Sequence, residues 1–322
     1  MGCVVVVGSF NVDHVWTSAR LPRPGETVAG QYRSGPGGKG FNQATAAARA
    51  GADTAFVCAL GDDAGGRLAR ALAQADGIDL HASDSDAPTG TAGIHVDADG
   101  RNSIVIGPGA NAALSPGFIE RKRAVIAAAV VVVVQLESPV EAITAAFLIA
   151  REAGAITLFN PAPADAVGSP ALWALADVVT PNETEFCAQL QRQAGESVDA
   201  DALTACDDAR LHAWCRMLLP HGSVVITLGA AGCFVSHTQS CLRGDAQAHY
   251  RITAQPVHAI DTTGAGDAFN GALAASLAQK PGARFAAHLH YASCYAALST
   301  ERAGAASAMP RQAMLRERFG DG

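Results

Sequence analysis

Short apolar runs alternate along the chain with longer segments of helical period. The runs at 4–8, 54–58, 130–135, 156–159, 178–180, 224–227 and 233–236 predict strands. The segments at 42–50, 64–76, 139–153, 183–191, 208–219, 267–278 and 284–299 predict helices. Strand–helix alternation predicts an α/β fold, a doubly wound and mostly parallel central sheet flanked by helices. Ligands of such sheets bind outside the carboxyl ends of the strands. The longest apolar run, 124–134, is too short to span a bilayer, which takes about 20 residues. Its Val-rich second half suits a strand buried on both faces.

Two segments break this rhythm. Residues 13–36, approximately, have no helical period and contain the turn signal LPRPGET from Leu21. Residues 89–107 alternate like extended chain around the polar turn DADG from Asp97. Both predict β structure outside the main sheet. That is either a small lid over the strand ends, which would exclude water from a cleft, or an ordinary surface hairpin. The expectation is a single domain over residues 1–322 with the lid inserted as these two segments. The charged tail from Pro310 is expected to be helical.

Composition narrows the partners. Acidic residues outnumber basic ones, 30 to 23, with no dense Lys/Arg run, so no nucleic acid and no membrane are expected as partners. Backbone amides can still bind a phosphate without net positive charge. The eight cysteines form no C-x-x-C pair, and several sit in apolar runs. They predict buried, reduced thiols in a cytoplasmic protein. The amino-terminal stretch has no basic leader and no long apolar core, so no signal peptide is expected.

Five stretches carry candidate chemistry. DTTGAGDAFNGAL from Asp261 brings the glycines Gly264 and Gly266 into a helical pattern that begins at Asp267. Free amides at a helix start form an anion site. Asp267 either caps this helix or takes a proton from a hydroxyl during phosphoryl transfer. GPGGKGFNQA from Gly35 is a second Gly-rich loop entering a helix, with the wrong spacing for a Walker A loop. Gly38 and Gly40 allow close backbone approach, and Lys39 and Asn42 can bind hydroxyls; the alternative is a plain turn. GSFNVD from Gly8 puts Asn11 and Asp13 on one side of extended chain, suited to paired hydroxyls or to an Asx-turn. VQLESP from Val134 places Glu137 at a strand end, and NPAP from Asn160 also follows a strand. TPNETE from Thr180 offers Asn182 and Glu185, either to hold Mg²⁺-bound water or as a helix start. Finally, TLGAAG from Thr227 is a strand–turn–strand compatible with a nucleotide.

With these motifs at successive strand ends, the chain resembles the ribokinase-like (phosphofructokinase B type) sugar-kinase family. The resemblance runs from GSFNVD to about Pro310 and includes both Gly-rich segments as the family's signature regions. PGETV from Pro24, GANAALS from Gly109, QLESP from Gln135, NPAPA from Asn160 and PNETE from Pro181 resemble the ribokinases of that family in particular. The resemblance implies ATP-dependent phosphorylation of the 5-hydroxyl of D-ribose. It implies Asp267 as catalytic base and Gly264, Ala265 and Gly266 as anion hole. Sugar contacts would come from Asn11, Asp13, Gly38, Lys39, Gly40, Asn42, Glu137 and Asp267. Nucleotide contacts would come from Asn182, Glu185, Thr227, Leu228, Gly229, Ala230, Ala231, Gly232, Gly266 and Ser293. It further implies Mg²⁺, and a monovalent cation, usually K⁺, near Asp261, Thr263, Ser299, Arg302 and Gly304. The lid would pair two copies into a homodimer.

Departures from the family pattern are Phe41 in place of Ala, Ser293 where Asn or His commonly faces adenine, Ala308 in place of Ser, and Pro108 in the loop leaving the lid. Phe41 either reshapes the sugar pocket or packs beneath it. The alternatives to ribose are fructose, deoxyribose or a nucleoside on the same fold, or a non-catalytic sugar or nucleotide sensor.

Overall fold

A computed structural model of the chain describes residues 2–320. Along it run β1 (Cys3–Val7), β2 (Asn11–Thr17), β3 (Gln31–Gly37), α1 (Lys39–Arg49), β4 (Asp53–Gly61), α2 (Ala64–Ala75), β5 (Asp79–Ser85), β6 (Gly90–Val96) and β7 (Asn102–Gly107). Then come α3 (Pro116–Arg121), α4 (Arg123–Ala127), β8 (Val131–Val134), α5 (Val140–Glu152), β9 (Ile156–Phe159), α6 (Pro170–Leu175), β10 (Val178–Val179), α7 (Glu183–Ala194) and α8 (Asp208–Leu218). The last elements are β11 (Ser223–Thr227), β12 (Cys233–Ser236), β13 (His249–Ile252), α9 (Ala265–Gln279), α10 (Phe285–Ser299) and α11 (Gln312–Phe319).

Among the described residues these strands make two sheets. The larger has the order β13-β12-β11-β10-β9-β8-β1-β4-β5. It is parallel except at β11-β12-β13. Its centre shows why the Val runs become strands. In β1, Val4 and Val6 pack into one core with Ala44 and Ala47 of α1 and Leu273 of α9. Val5 and Val7 pack into the opposite core with Ile143 and Phe147 of α5. Alternate side chains of a strand covered on both faces must all be apolar. Each fully buried Val contributes about 1.5–3 kcal/mol. Pairing of Val4 with Val131 and with Thr54 fixes the register of β1 between β8 and β4.

The smaller sheet has the order β3-β2-β6-β7 and is built from the two segments that broke the helical rhythm. The chain enters it directly from the end of β1. Between β6 and β7, the Asp97 carboxylate accepts from the Asp99 and Arg101 amides at 3.0 and 2.9 Å, which closes the DADG turn. Between β2 and β3, the LPRPGET turn is tied by the Glu26 carboxylate, which accepts from the Arg23 amide at 2.9 Å.

Several boundaries differ from expectation, and two matter for the site. The helix expected from residue 42 begins at Lys39, and that expected from Asp267 begins at Ala265. In both, a glycine with positive φ precedes the first helical residue, Gly38 at 87° and Gly264 at 75°. The glycines after them therefore lie in the first helical turn. The run 124–134 divides into α4 and β8. Edge strands β5 and β13 were not expected, because a half-exposed strand such as DLHASDS has no apolar run. The tail helix α11 forms as expected. No helix among the described residues is long and apolar enough to cross a membrane.

Candidate active site

The first turn of α9 sets the centre of the site. The Ala265 amide donates to Thr262 O at 3.1 Å and that of Ala268 to Gly264 O at 2.8 Å. The intervening amides of Gly266 and Asp267 find no backbone acceptor ahead of the helix. They form an open pair of donors at its positive end. Asp267 is the third helical residue, and the cap position belongs to Gly264. A capping carboxylate would accept from its own helix. Here both oxygens accept from α1: Oδ2 from Asn42 Nδ2 at 2.8 Å and Oδ1 from Gln43 Nε2 at 2.9 Å. The capping reading therefore fails, while the first-turn position stands.

Asp267 is buried, and burial pushes its carboxyl above the usual range; Lys39, Gln43 and Asn42 oppose this, and Glu137 adds to it. For Lys39, burial works against the charge, but Asp267, Glu137 and Glu185 outweigh it and leave the ammonium above its ordinary value. The site thus keeps a cation beside a carboxylate that can hold or release a proton.

The start of α1 is fastened to Glu137. Its Oε2 accepts from Ser9 Oγ at 2.5 Å and from the Lys39 amide at 2.9 Å. A side chain at Gly38 would put its Cβ 2.8 Å from the Asn11 amide nitrogen, so the loop can approach β2 only with glycine there. Asn11 is buried and accepts from Asn111 Nδ2 at 2.8 Å. Asn111 in turn accepts from the Phe10 amide and donates to Phe10 O, both at 3.0 Å. Asp13 lies two residues on along β2. Burial, then Glu137 and Asp267, raise its carboxyl to about 6, with Arg33 opposing. Asn11, Asp13, Lys39, Asn42, Glu137 and Asp267 are thus gathered by β2, α1, the end of β8 and α9. Asn42 Oδ1 is buried and bonds no protein donor.

On the other side of Asp267 lies a cleft of about 220 Å³ lined by Lys39, Asn160, Thr180, Asn182, Glu185, Thr227, Thr262, residues 264–267 and Asn270. Asn182 caps α7, accepting from the Glu185 amide at 2.8 Å, and Glu185 accepts from the Asn182 amide at 2.9 Å. The helix-start alternative for this pair therefore holds, and both residues of the capping box also line the cleft. Burial raises Glu185 foremost, with Lys39 and the Asn182 amide opposing. Of the run from Thr227 to Gly232, only Thr227 lines the cleft; Gly229–Ala231 form an exposed turn and Leu228 is buried. Ser293 is buried on α10, away from the cleft lining.

The loop before α9 is tied to the loop after α10. Asp261 accepts from the amides of Thr263 and Gly304, each at 2.9 Å. Burial would raise Asp261, but these hydrogen bonds outweigh it and hold the carboxyl below its ordinary value. Ser299 is occupied within α10, donating to Ala296 O at 2.7 Å, and Arg302 is exposed. Among the described residues no group of three or more His, Cys, Asp or Glu side chains could hold a metal ion.

Phe41 packs beneath the Gly-rich loop that opens α1. Its ring is buried, edge-on to Phe10 at 5.0 Å and tilted to Phe56 at 5.8 Å. Pro108 precedes the 3₁₀ turn (Gly109–Ala113) that carries Asn111. Gln43, Gln135, Asn160, Thr180, Asn270 and Asn111 were not singled out from sequence. All six lie inside quoted motifs, but a buried polar side chain announces its partner only once the fold is closed.

A helix start with open amides, a buried carboxylate beside it and a polar pocket at the strand ends together define a carbohydrate kinase. The model for "pfkB family carbohydrate kinase" matches residues 1–312, and the chain belongs to this family. It is an ATP-dependent sugar kinase. It is 38% identical to ribokinase of Mus musculus and 37% identical to ribokinase of Haemophilus influenzae, covering 95% of this chain and 91% and 95% of those. It is 36% identical to a bifunctional ribokinase/ribose-5-phosphate isomerase A of Fructilactobacillus sanfranciscensis over 97% of this chain, and spans about half of that protein, 55%. Among solved structures, ribokinase of Giardia lamblia superposes with a TM-score of 0.87 at 29% identity, covering 99% of this chain and 98% of that one. Arabidopsis thaliana ribokinase complexed with ribose and ATP gives 0.80 at 28% identity, with 98% of each chain covered.

Proposed function

We propose that the protein transfers the terminal phosphoryl group of ATP to the 5-hydroxyl of D-ribose, with Asp267 as the base. The observation that carries this is the buried Asp267 carboxylate at the third position of α9, beside the open amides of Gly266 and Asp267 and the Lys39 ammonium. Ribokinase relatives at 36–38% identity support ribose as the acceptor. Asp267 accepts the proton of the attacking hydroxyl. The open amides of Gly266 and Asp267, with Lys39, neutralise charge on the transferring group's equatorial oxygens; of the anion hole expected at 264–266, the Ala265 amide is already spent on Thr262 O. Asn11, Asp13, Asn42 and Glu137, with the backbone at Gly38 and Gly40, orient the sugar hydroxyls.

ATP occupies the cleft beside Asn182, Glu185 and Thr227, with the 228–232 turn at its edge. Ser293, like residues 228–232, lies outside the cleft lining. Mg²⁺ supplies charge neutralisation between phosphates. The capping box spends both Asn182 and Glu185 on backbone amides, so the ion fits this site as a hydrated ion carried by the nucleotide. K⁺ fits only a site of backbone oxygens in the loops of residues 261–263 and 299–304, with Asp261 alongside. The small sheet acts as a lid, about 13–36 and 89–107, on one kinase domain, and lids of two copies pair in a cytoplasmic homodimer.

The test is an ADP-coupled assay on D-ribose, 2-deoxyribose, fructose and adenosine, with and without K⁺. Ribose should have the highest kcat/KM and K⁺ should raise it. A faster alternative acceptor would remove the ribose assignment.

A further inference from the structure

Asp267 is held by amides whose orientation is itself determined. A carboxylate only accepts, so Gln43 must turn its NH₂ to Oδ1. The same nitrogen donates to Asn160 Oδ1 at 3.1 Å. Gln43 Oε1 therefore points away and accepts from Gln135 Nε2 at 2.6 Å. The other end is equally constrained. Asn160 Nδ2 donates to Thr180 O at 2.8 Å, and Asn270 Nδ2 donates to Gly266 O at 2.9 Å. That leaves Asn270 Oδ1 to accept from Thr180 Oγ1 at 2.5 Å. Carbonyl acceptors and the carboxylate thus permit one polarity for the whole chain of bonds. It runs from the end of β8, through α1, to the first turn of α9. Gln43, Gln135, Asn160 and Asn270 are all buried, which makes the bonds strong and a flipped amide costly. Gln135 Oε1 has no protein donor, so this residue serves the chain only through its NH₂.

We propose that Gln43, oriented by Gln135, is a positioning residue that aims Asp267 at the acceptor hydroxyl. Gln135 acts only through Gln43. This inference rests on the reading of Asp267 as the base. Losing the Gln43 donor removes a bond to the ionised carboxylate, so Asp267 would hold its proton to higher pH.

Gln43→Met, Gln135→Met and the double variant, in the full chain, are assayed with ATP and ribose across pH 5 to 9. Gln43→Met should lower kcat about 10- to 100-fold with little change in ribose KM. The acid limb of its kcat profile should move to higher pH. Gln135→Met should move both in the same direction by less. Added to Gln43→Met, it should cost at most about twofold more, because its only route is already cut. An unmoved acid limb, or losses that multiply in the double variant, would overturn the inference. If Gln43→Met fails to fold by circular dichroism, Gln135→Met decides alone, by whether its acid limb shifts. Asp267→Asn is measured alongside. Near-normal turnover there defeats the base assignment and this inference together; a dead Asp267→Asn with unmoved limbs in the glutamine variants defeats this inference only.

Discussion

Asp13 shows how much a single side chain gives up for the site. Its carboxyl titrates near 6 in the folded protein against an ordinary 3.8. The folded state therefore binds the proton more tightly than the unfolded chain does. Stability from this group is fully present below about pH 4 and is lost as pH rises through about 6, on the order of 3 kcal/mol. Asp13→Asn should be more stable than the parent at pH 7 and lose that advantage at pH 4, read from urea midpoints at both values. Its ribose KM should rise, since the amide replaces one of the carboxylate's two acceptor oxygens with an NH₂ donor. An advantage equal at both pH values would refute the linkage. Phe41 illustrates the opposite balance. Its ring lies against Phe10 and Phe56 in the core, so Phe41→Ala should cost about 3–5 kcal/mol by denaturant titration. Sugar KM should change little, because the ring packs under the loop. The sequence marked Phe41 as unusual, yet which side of the loop the ring takes depends on Phe56 of β4, a neighbour no local pattern announces.

At the scale of elements, two helices begin at glycines of positive φ, and both beginnings line the same cleft. Apolar periodicity made α1 and α9 legible, but it placed their starts three and two residues late. The first turns, KGFN from Lys39 and AGDA from Ala265, mix a glycine with polar residues, so the apolar period shows only past them. The amides of Asn160 and Asn270 were illegible for a related reason: each is polar and buried, and its partner comes from a different element. Gly264→Ala tests the geometry of α9. A Cβ there would lie 2.9 Å from Ala305 Cβ in a left-handed backbone conformation. The change should cost about 1–2 kcal/mol in stability. It should also lower kcat by at least 10-fold with little effect on ribose KM, since it shifts the anion-binding turn and leaves the sugar side intact. Parallel losses in kcat and affinity would argue that the turn and the sugar loop move as one.

At the scale of the molecule, the small sheet leaves an edge that needs a partner. Every residue of β7 is exposed, including the consecutive Ile104, Val105 and Ile106. Long, flat, apolar edges invite pairing or burial and are seldom left open. Register puts Ile104 opposite Ile94 and Ile106 opposite Ala92. Those two sit opposite Val15 and Asp13 in turn, so the exposed isoleucines share the face that carries the Asp13 carboxylate, a proposed sugar contact. A second copy covering that face would close the sugar site as well as the edge. Ile104→Lys/Ile106→Lys should sediment as a monomer at concentrations where the parent is a dimer. It should also raise ribose KM more than it lowers kcat, because the lid would be left loose over an intact α9. A parent that sediments as a monomer would remove the homodimer, and a monomeric variant with unchanged ribose KM would separate assembly from closure of the site.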